Sequence, residues 1–217
     1  MSNNPQLLFV AGPNGAGKST FSKDLSKPGA IIFDVDKVVA QIEAQSPRMP
    51  KRSVYEEATK DFFKQVNAAV KDRRHFTLET NFRDESLMDV VAHFKAHGYA
   101  THLIYLTLES IEQSVFRVNE RVKDGGHFVD IKNIQQNYDL GLEYIERFAD
   151  HFDNVEIADA SKSNQHLRSL LSIQNRSLVY QSSNIPEKFV NRINAIVEKF
   201  IPPSPTQELR PYRGPSR

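Results

Sequence analysis

Short apolar runs alternate with amphipathic stretches along most of the chain, the pattern of strands alternating with covering helices. The strand candidates are "LLFVAG" (7–12), "AIIFDV" (30–35), "HFTLET" (75–80), "THLIYLTL" (101–108) and "NVEIAD" (154–159). The first, second and fourth are mostly apolar, as expected of strands covered on both faces. Between them, residues 54–73 place Tyr55, Ala58, Phe62, Val66 and Ala69 on one helical face. Asp84 is positioned to cap a helix carrying Leu87, Val90, Val91 and Phe94, which Gly98 would end. Ser110 and Gln113 have capping-box spacing, and 131–149 aligns Ile131, Ile134, Tyr138, Leu142 and Ile145. The pattern predicts a three-layer α/β fold with a mostly parallel central sheet.

Past residue 168 the pattern changes. Two short β-like runs flank Gln174-Asn175-Arg176, predicting a small hairpin near 169–181, and Pro186 opens a helix over 186–200. Residues 202–217 hold five of the eleven prolines and little to bury, so a disordered tail is expected there. Residues 1–201 read as a single domain.

Composition narrows the function classes. A chain of 217 residues suits one substantial α/β domain, and a net charge of +1 does not mark a general nucleic-acid binder. The absence of cysteine excludes disulfides, thiolate metal sites and cysteine nucleophiles. No window is long and apolar enough for a bilayer or a complete signal peptide, so a soluble, cytoplasmic protein without a membrane partner is expected.

The chemistry begins at "GPNGAGKST", residues 12–20, which fits G-x-x-x-x-G-K-[ST] with an apolar strand before it and a helical segment after it. Gly12, Asn14, Gly15, Ala16, Gly17, Lys18, Ser19 and Thr20 are therefore the candidate ATP-binding residues. Glycines let backbone N–H groups turn onto phosphates and the helix N-terminus adds its positive end. Lys18 would reach the β- and γ-phosphates, and the Ser19 hydroxyl would ligate the Mg²⁺ that arrives with ATP. The chain carries no transporter-type "LSGGQ", no guanine-reading "NKxD", and no long apolar strand ending in the acid of a motor-type ATPase.

The acids sit elsewhere. "IIFDVDKVV" puts Asp34 and Asp36 at the end of the second strand, where doubly wound folds place their chemistry. Strand alternation would turn both carboxylates to one crevice. Asp36 is then the candidate general base, or else a residue capping the next helix. Glu79, Thr80 and Asn81 end the third strand as an acid, a hydroxyl and an amide, suited to a polar substrate or simply to a polar strand end. Arg117 and Arg121 lie four apart, ahead of the flexible "DGGH", either as lid cations over the γ-phosphate or as solvated arginines paired with Glu120. His93 and His97 lack a third ligand and read as a solvated helix end.

Together, "GPNGAGKST", "FDVDKV", "LETNF", "GYATHLIYLTL", "RVNERVKDGGHFV" and "NVEIADAS" resemble the zeta-toxin family of P-loop kinases, in particular its short members. The likeness spans about residues 7–165 and, more loosely, the hairpin to 183. It implies ATP-dependent phosphorylation of a hydroxyl on a UDP-amino sugar such as UDP-N-acetylglucosamine, and a small antitoxin partner that blocks the ATP site. By motif it assigns Asp36 as base and Lys18 and Ser19 to Mg-ATP. Glu79 and Thr80 fall to the substrate, and Arg117 and Arg121 to the lid; Asp34 and Asn81, beside them at the strand ends, are further substrate-binding candidates. His127 falls at the family's Gly-Gly-His position. One departure stands out: where short relatives read Ile-Arg-Arg-Arg-Tyr, this chain reads "IQQNY" (134–138), with Gln135, Gln136 and Asn137 in place of the basic residues. A lost γ-phosphate arginine would slow transfer on the order of 10³-fold, with Lys132, one turn before Gln136, as the alternative cation. Without either, the chain would be a module that senses ATP with little or no transfer, and a kinase acting on nucleic-acid ends is the other alternative.

Overall fold

The computed structural model describes residues 4–126, 128–162 and 167–201; the expected tail at 202–217 and His127 lie outside the described residues. The five predicted strands are present as β1 (Gln6–Ala11), β2 (Ile31–Asp34), β3 (Phe76–Thr80), β4 (Ala100–Thr107) and β5 (Asn154–Asp159). The hairpin is β6 (Arg168–Gln174) and β7 (Ser177–Gln181), turned at Asn175 and Arg176, both at left-handed φ as a two-residue type I′ connection requires. All seven join one sheet in the order β2-β3-β1-β4-β5-β6-β7. The ladder is parallel from β2 to β5 and antiparallel beyond it.

Between the strands run α1 (Lys18–Leu25), α2 (Val35–Gln45), α3 (Lys51–Asp72), α4 (Leu87–Ala96), α5 (Ile111–Lys123) and α6 (Ile131–Phe148), and α7 (Glu187–Glu198) closes the described chain. The period-2 alternation of β1 serves both layers. Leu7, Phe9 and Ala11 join the larger core with residues of α3, α4, α6 and α7, while Leu8 and Val10 meet Phe21 and Leu25 of α1. Such double coverage is why the run is continuously apolar.

Local signals act largely where expected, with three differences. Gly98 ends α4 at φ 75°, with its N–H on Lys95 O and the Tyr99 N–H on Phe94 O, a Schellman closure. Asp84 does not cap α4 directly: its carboxylate accepts from the Ser86 N–H at 2.9 Å, shaping a turn before the helix starts. Ser110 caps α5 through the Gln113 N–H, but the Gln113 side chain returns to the N–H of Glu109 rather than of Ser110. Tyr55 and Ile131, expected on buried faces, are 57% and 60% exposed, each near the first turn of its helix. Lys188 of α7 donates to Leu108 O at 3.1 Å and to the Tyr138 hydroxyl at 2.7 Å, fixing α7 to the C-terminal end of β4. No described helix is long and apolar enough to cross a membrane.

Candidate functional site

Three strand ends converge at the carboxyl edge of the sheet, because β1 lies between β3 and β4 and β3 is flanked by β2. Register places Asp34 beside Glu79, and Glu79 beside Val10. After β1 the chain turns through Gly12, Gly15 and Gly17, at φ 144°, 77° and 88°. These glycines are required by space as well as by φ. A Cβ on Gly12 would stand 2.5 Å from Leu106 O, and one on Gly15 would stand 2.9 Å from the Arg117 Cβ. Gly15→Ala is therefore expected to cost about 1–2 kcal/mol from the left-handed backbone alone, measurable as a lowered urea midpoint. An unchanged midpoint would contradict this packing of the loop on α5.

Gly17 caps α1 without a side-chain hydrogen bond, and the first turn of α1 carries no acid, so the N–H groups of Lys18 and Ser19 remain available to an anion while those of Thr20 and Phe21 donate to Gly17 O. Lys18 folds back onto the loop: its ammonium donates to Gly12 O at 2.8 Å, Pro13 O at 3.0 Å and Asn81 Oδ1 at 2.8 Å. Burial lowers its pKa to about 8, opposed by the charges of Asp36, Asp34 and Glu79 and assisted by Arg121. A polyanion arriving at the loop would stabilise the charged ammonium and raise that pKa. Nucleotide binding above about pH 8 must then take up a proton, so Mg-ATP affinity is expected to fall as pH rises past 8, by up to about tenfold per unit. Calorimetry in buffers of different ionisation enthalpy reads that uptake directly. A flat affinity between pH 7 and 10 would contradict it.

The acids are arranged differently from the alternation argument. β2 ends at Asp34, which is the N-cap of α2, its Oδ1 accepting from the N–H groups of Asp36 and Lys37 at 3.1 and 3.3 Å. Asp36 therefore sits in the first turn of the helix, not on the strand, and the helical turn rather than strand pleating brings it to the cleft that Asp34 also lines. The capping role considered for Asp36 belongs to Asp34. Burial pushes the Asp34 carboxyl up, but the Lys37 ammonium at 2.8 Å outweighs it and holds the group below the usual carboxylate range.

Glu79 is buried and takes the hydroxyls of Ser19 and Ser22, each at 2.6 Å, with the Lys37 ammonium 3.7 Å away. Strand alternation separates it from Thr80, which turns to the other face, where its hydroxyl accepts from the Phe82 N–H at 3.0 Å. Phe82 adopts φ 56°, a conformation bulky residues avoid, with its ring buried against Phe9 and Phe152. That bend lays Asn81 against Lys18.

Arg117 and Arg121 both line the same cleft, of about 480 Å³. Arg117 departs from a mobile lid cation: its guanidinium donates to Ala160 O at 2.9 Å, Ser161 O at 2.7 Å and Gly15 O at 3.3 Å, tying α5 to the end of β5 and to the loop. Arg121 acts on the charge of Lys18, and Gly126 folds tightly over its backbone, donating to Arg121 O at 2.8 Å. In "IQQNY", Gln135 and Gln136 are exposed, and neither they nor Lys132 lines the cleft. The position that faces the loop is Asn137, buried, its amide donating to Asn14 Oδ1 at 2.6 Å. Ser114 also donates to the loop, at Asn14 O. Lys37, Ser22 and Ser114 are neighbours of the loop that the sequence did not single out, and Asn137 entered there only as a residue in place of a basic one. Ser22 has a local signal, lying three residues after Ser19 on the same face of α1. Asn137 and Ser114 lie 123 and 100 positions from their loop partner and have none.

The zeta toxin family model matches residues 1–172. An uncharacterised protein of Haemophilus influenzae is 29% identical over 133 residues, covering 61% of this chain and 92% of that one. Among solved structures, a chain of the PezAT chromosomal toxin–antitoxin system of Streptococcus pneumoniae superposes with a TM-score of 0.63 at 13% identity, over 91% of this chain and 86% of that one. A chain of the AvrRxo1-ORF1:ORF2 complex with ATP gives 0.60 at 13% identity, over 93% of this chain and 66% of that one. A chain of the Pnkp1/Rnl/Hen1 RNA repair complex gives 0.57 at 23% identity, over 68% and 47%. At these identities the structural likeness is one of fold, and the family match rests on sequence: the chain belongs to the zeta toxin family, with the three-layer P-loop fold.

Proposed function

We propose that the chain is an ATP-dependent phosphotransferase that passes the γ-phosphoryl group to a hydroxyl of a small molecule. The observation that carries this reading is the placement of Asp36 in the cleft that also holds the phosphate loop, Lys18 and Arg121. In the proposed step Asp36 accepts the acceptor's O–H proton, the freed oxygen bonds to the γ-phosphorus, the bond from that phosphorus to the β-phosphate oxygen breaks, and ADP leaves. Lys18, the loop N–H groups and Arg121 hold the phosphates in line and balance their charge. Arg117 keeps α5 against the loop.

The oxygens of Ser19, Asp34 and Glu79 are hard donors gathered at one point, the set that fits Mg²⁺ bound with nucleotide phosphates. Bound there, the ion would neutralise phosphate charge and act as a Lewis acid. In this reading Glu79 serves the metal shell, a different role from the substrate contact implied by resemblance.

Family membership and the motif resemblance support a UDP-amino sugar such as UDP-N-acetylglucosamine as acceptor, and a small antitoxin protein that covers the nucleotide cleft as partner. A module that senses ATP without transfer is less well supported. The amides that motivated it are exposed at Gln135 and Gln136, and Lys18, Lys37 and Arg121 supply cations without them. The test is to follow γ-labelled ATP with the full chain. Label should pass to an organic product when acceptor is present. Label released only to water, at a rate that no acceptor changes, would make the protein an ATPase.

A further inference from the structure

Lys37 stands where helix physics alone would not put a lysine. Asp34 caps α2, which places Lys37 in the first turn, at the position where a capping box carries Glu or Gln. A cation there meets the positive end of the helix dipole. Departures from a local rule concentrate at functional sites. Here the ammonium lies 2.8 Å from Asp34 Oδ2 and 3.7 Å from Glu79 Oε1.

Asp34 divides its two oxygens. Oδ1 accepts from the N–H groups of Asp36 and Lys37, while Oδ2 faces the Lys37 ammonium and, at 3.4 Å, the Ser19 hydroxyl. That second oxygen belongs to the donor set that fits Mg²⁺. One carboxylate oxygen is therefore offered to two cations, and an ammonium and a divalent ion held on it together would repel strongly. We propose that the two exchange: the divalent ion takes Asp34 and Glu79, and the released Lys37 ammonium moves to the phosphates of the nucleotide. The inference rests on the reading of this cleft as a Mg-ATP site.

The geometry decides which party moves. Glu79 is buried and holds the hydroxyls of Ser19 and Ser22, and Asp34 is tied to α2 by its cap. The Lys37 side chain is 55% exposed and lines the same cleft as Lys18 and Arg121. The carboxylates stay and the lysine swings on its flexible stem. Without nucleotide, Lys37 balances two acids that strand register sets side by side. A metal ion arriving alone must expel this cation with no anion to receive it. Mg-ATP brings that anion along, so metal and nucleotide each strengthen the binding of the other.

The test is a Mn²⁺ titration of the full chain followed by electron paramagnetic resonance, with the affinity of the non-hydrolysable analogue AMP-PNP measured by calorimetry in the presence of Mn²⁺. The unaltered chain is compared with Lys37→Met and Lys37→Arg, both at a position exposed enough to spare the fold. Without nucleotide, Lys37→Met should bind Mn²⁺ about tenfold or more tightly than the unaltered chain, because no ammonium has to leave. It should bind AMP-PNP about three- to tenfold more weakly, because the released cation is missing. Lys37→Arg, which keeps the charge, should follow the unaltered chain in both. A residue that only packs α2 would move both affinities in the same direction or neither. The inference is overturned if Lys37→Met binds Mn²⁺ no more tightly than the unaltered chain, if its AMP-PNP affinity does not fall, or if the arginine variant behaves as the methionine one does. An unaltered chain that binds no AMP-PNP at all would sink the phosphotransferase reading as well, so the two failures are distinguishable.

Discussion

Asp36→Asn is expected to lower phosphotransfer by roughly 10²–10⁴-fold while leaving Mg-ATP affinity within a few-fold of the unaltered chain. The side chain is exposed at the start of α2, and the asparagine has nearly the same shape, so neither folding nor loop geometry depends on it. The helix cap is Asp34, which stays in place. What the substitution removes is the group proposed to take the acceptor's proton. Single-turnover rates with labelled ATP separate the chemical step from binding. A variant that transfers phosphate at the unaltered rate would remove Asp36 from the mechanism.

Glu79 carries the second large effect. Its carboxylate is itself buried, accepts from two serine hydroxyls of α1 and lies beside Lys37 on the lining of the nucleotide cleft. Glu79→Ala leaves Ser19 and Ser22 without these acceptors. It should therefore lose stability, by about 1–3 kcal/mol, as well as Mg-dependent activity. Glu79→Gln keeps an acceptor oxygen and the volume but not the charge. It should retain most of the stability and still lose about 10–100-fold in activity or in apparent Mg²⁺ affinity, the usual cost of removing a partner in a metal's outer shell. Activity measured across a Mg²⁺ series, beside urea denaturation, distinguishes the two contributions. If glutamine restored activity along with stability, Glu79 would be a packing residue only.

The strands were legible because double coverage forces long apolar runs, and all five predicted runs lie within a residue of their observed ends. The phosphate loop was legible for a different reason: its glycines and lysine answer to local backbone geometry. Pairs of neighbouring residues were harder. Strand pleating would bring Asp34 and Asp36 together, yet the strand stops at Asp34 and a helical turn carries Asp36 to the cleft. Glu79 and Thr80 were grouped as neighbours in sequence, yet pleating sends them to opposite clefts. The contacts of Asn81 with Lys18 and of Asn137 with Asn14 span 63 and 123 residues, and nothing local to those amides encodes them. The same holds for Arg117: its spacing with Arg121 is a helical fact, but the three carbonyls that bind it come from elsewhere in the chain.

In the proposed function, phosphate held by residues 12–20 goes to a small-molecule hydroxyl under the control of Asp36. Mass spectrometry of the full chain incubated with Mg-ATP and a panel of UDP-sugars, nucleosides and N-acetylated sugars tests it most directly, with Asp36→Asn and Lys18→Ala alongside. The expected result is one acceptor gaining a phosphate with the unaltered chain, and at most about a hundredth as much in the same time with Asp36→Asn. ATP bound in full with no acceptor modified across the panel would contradict it.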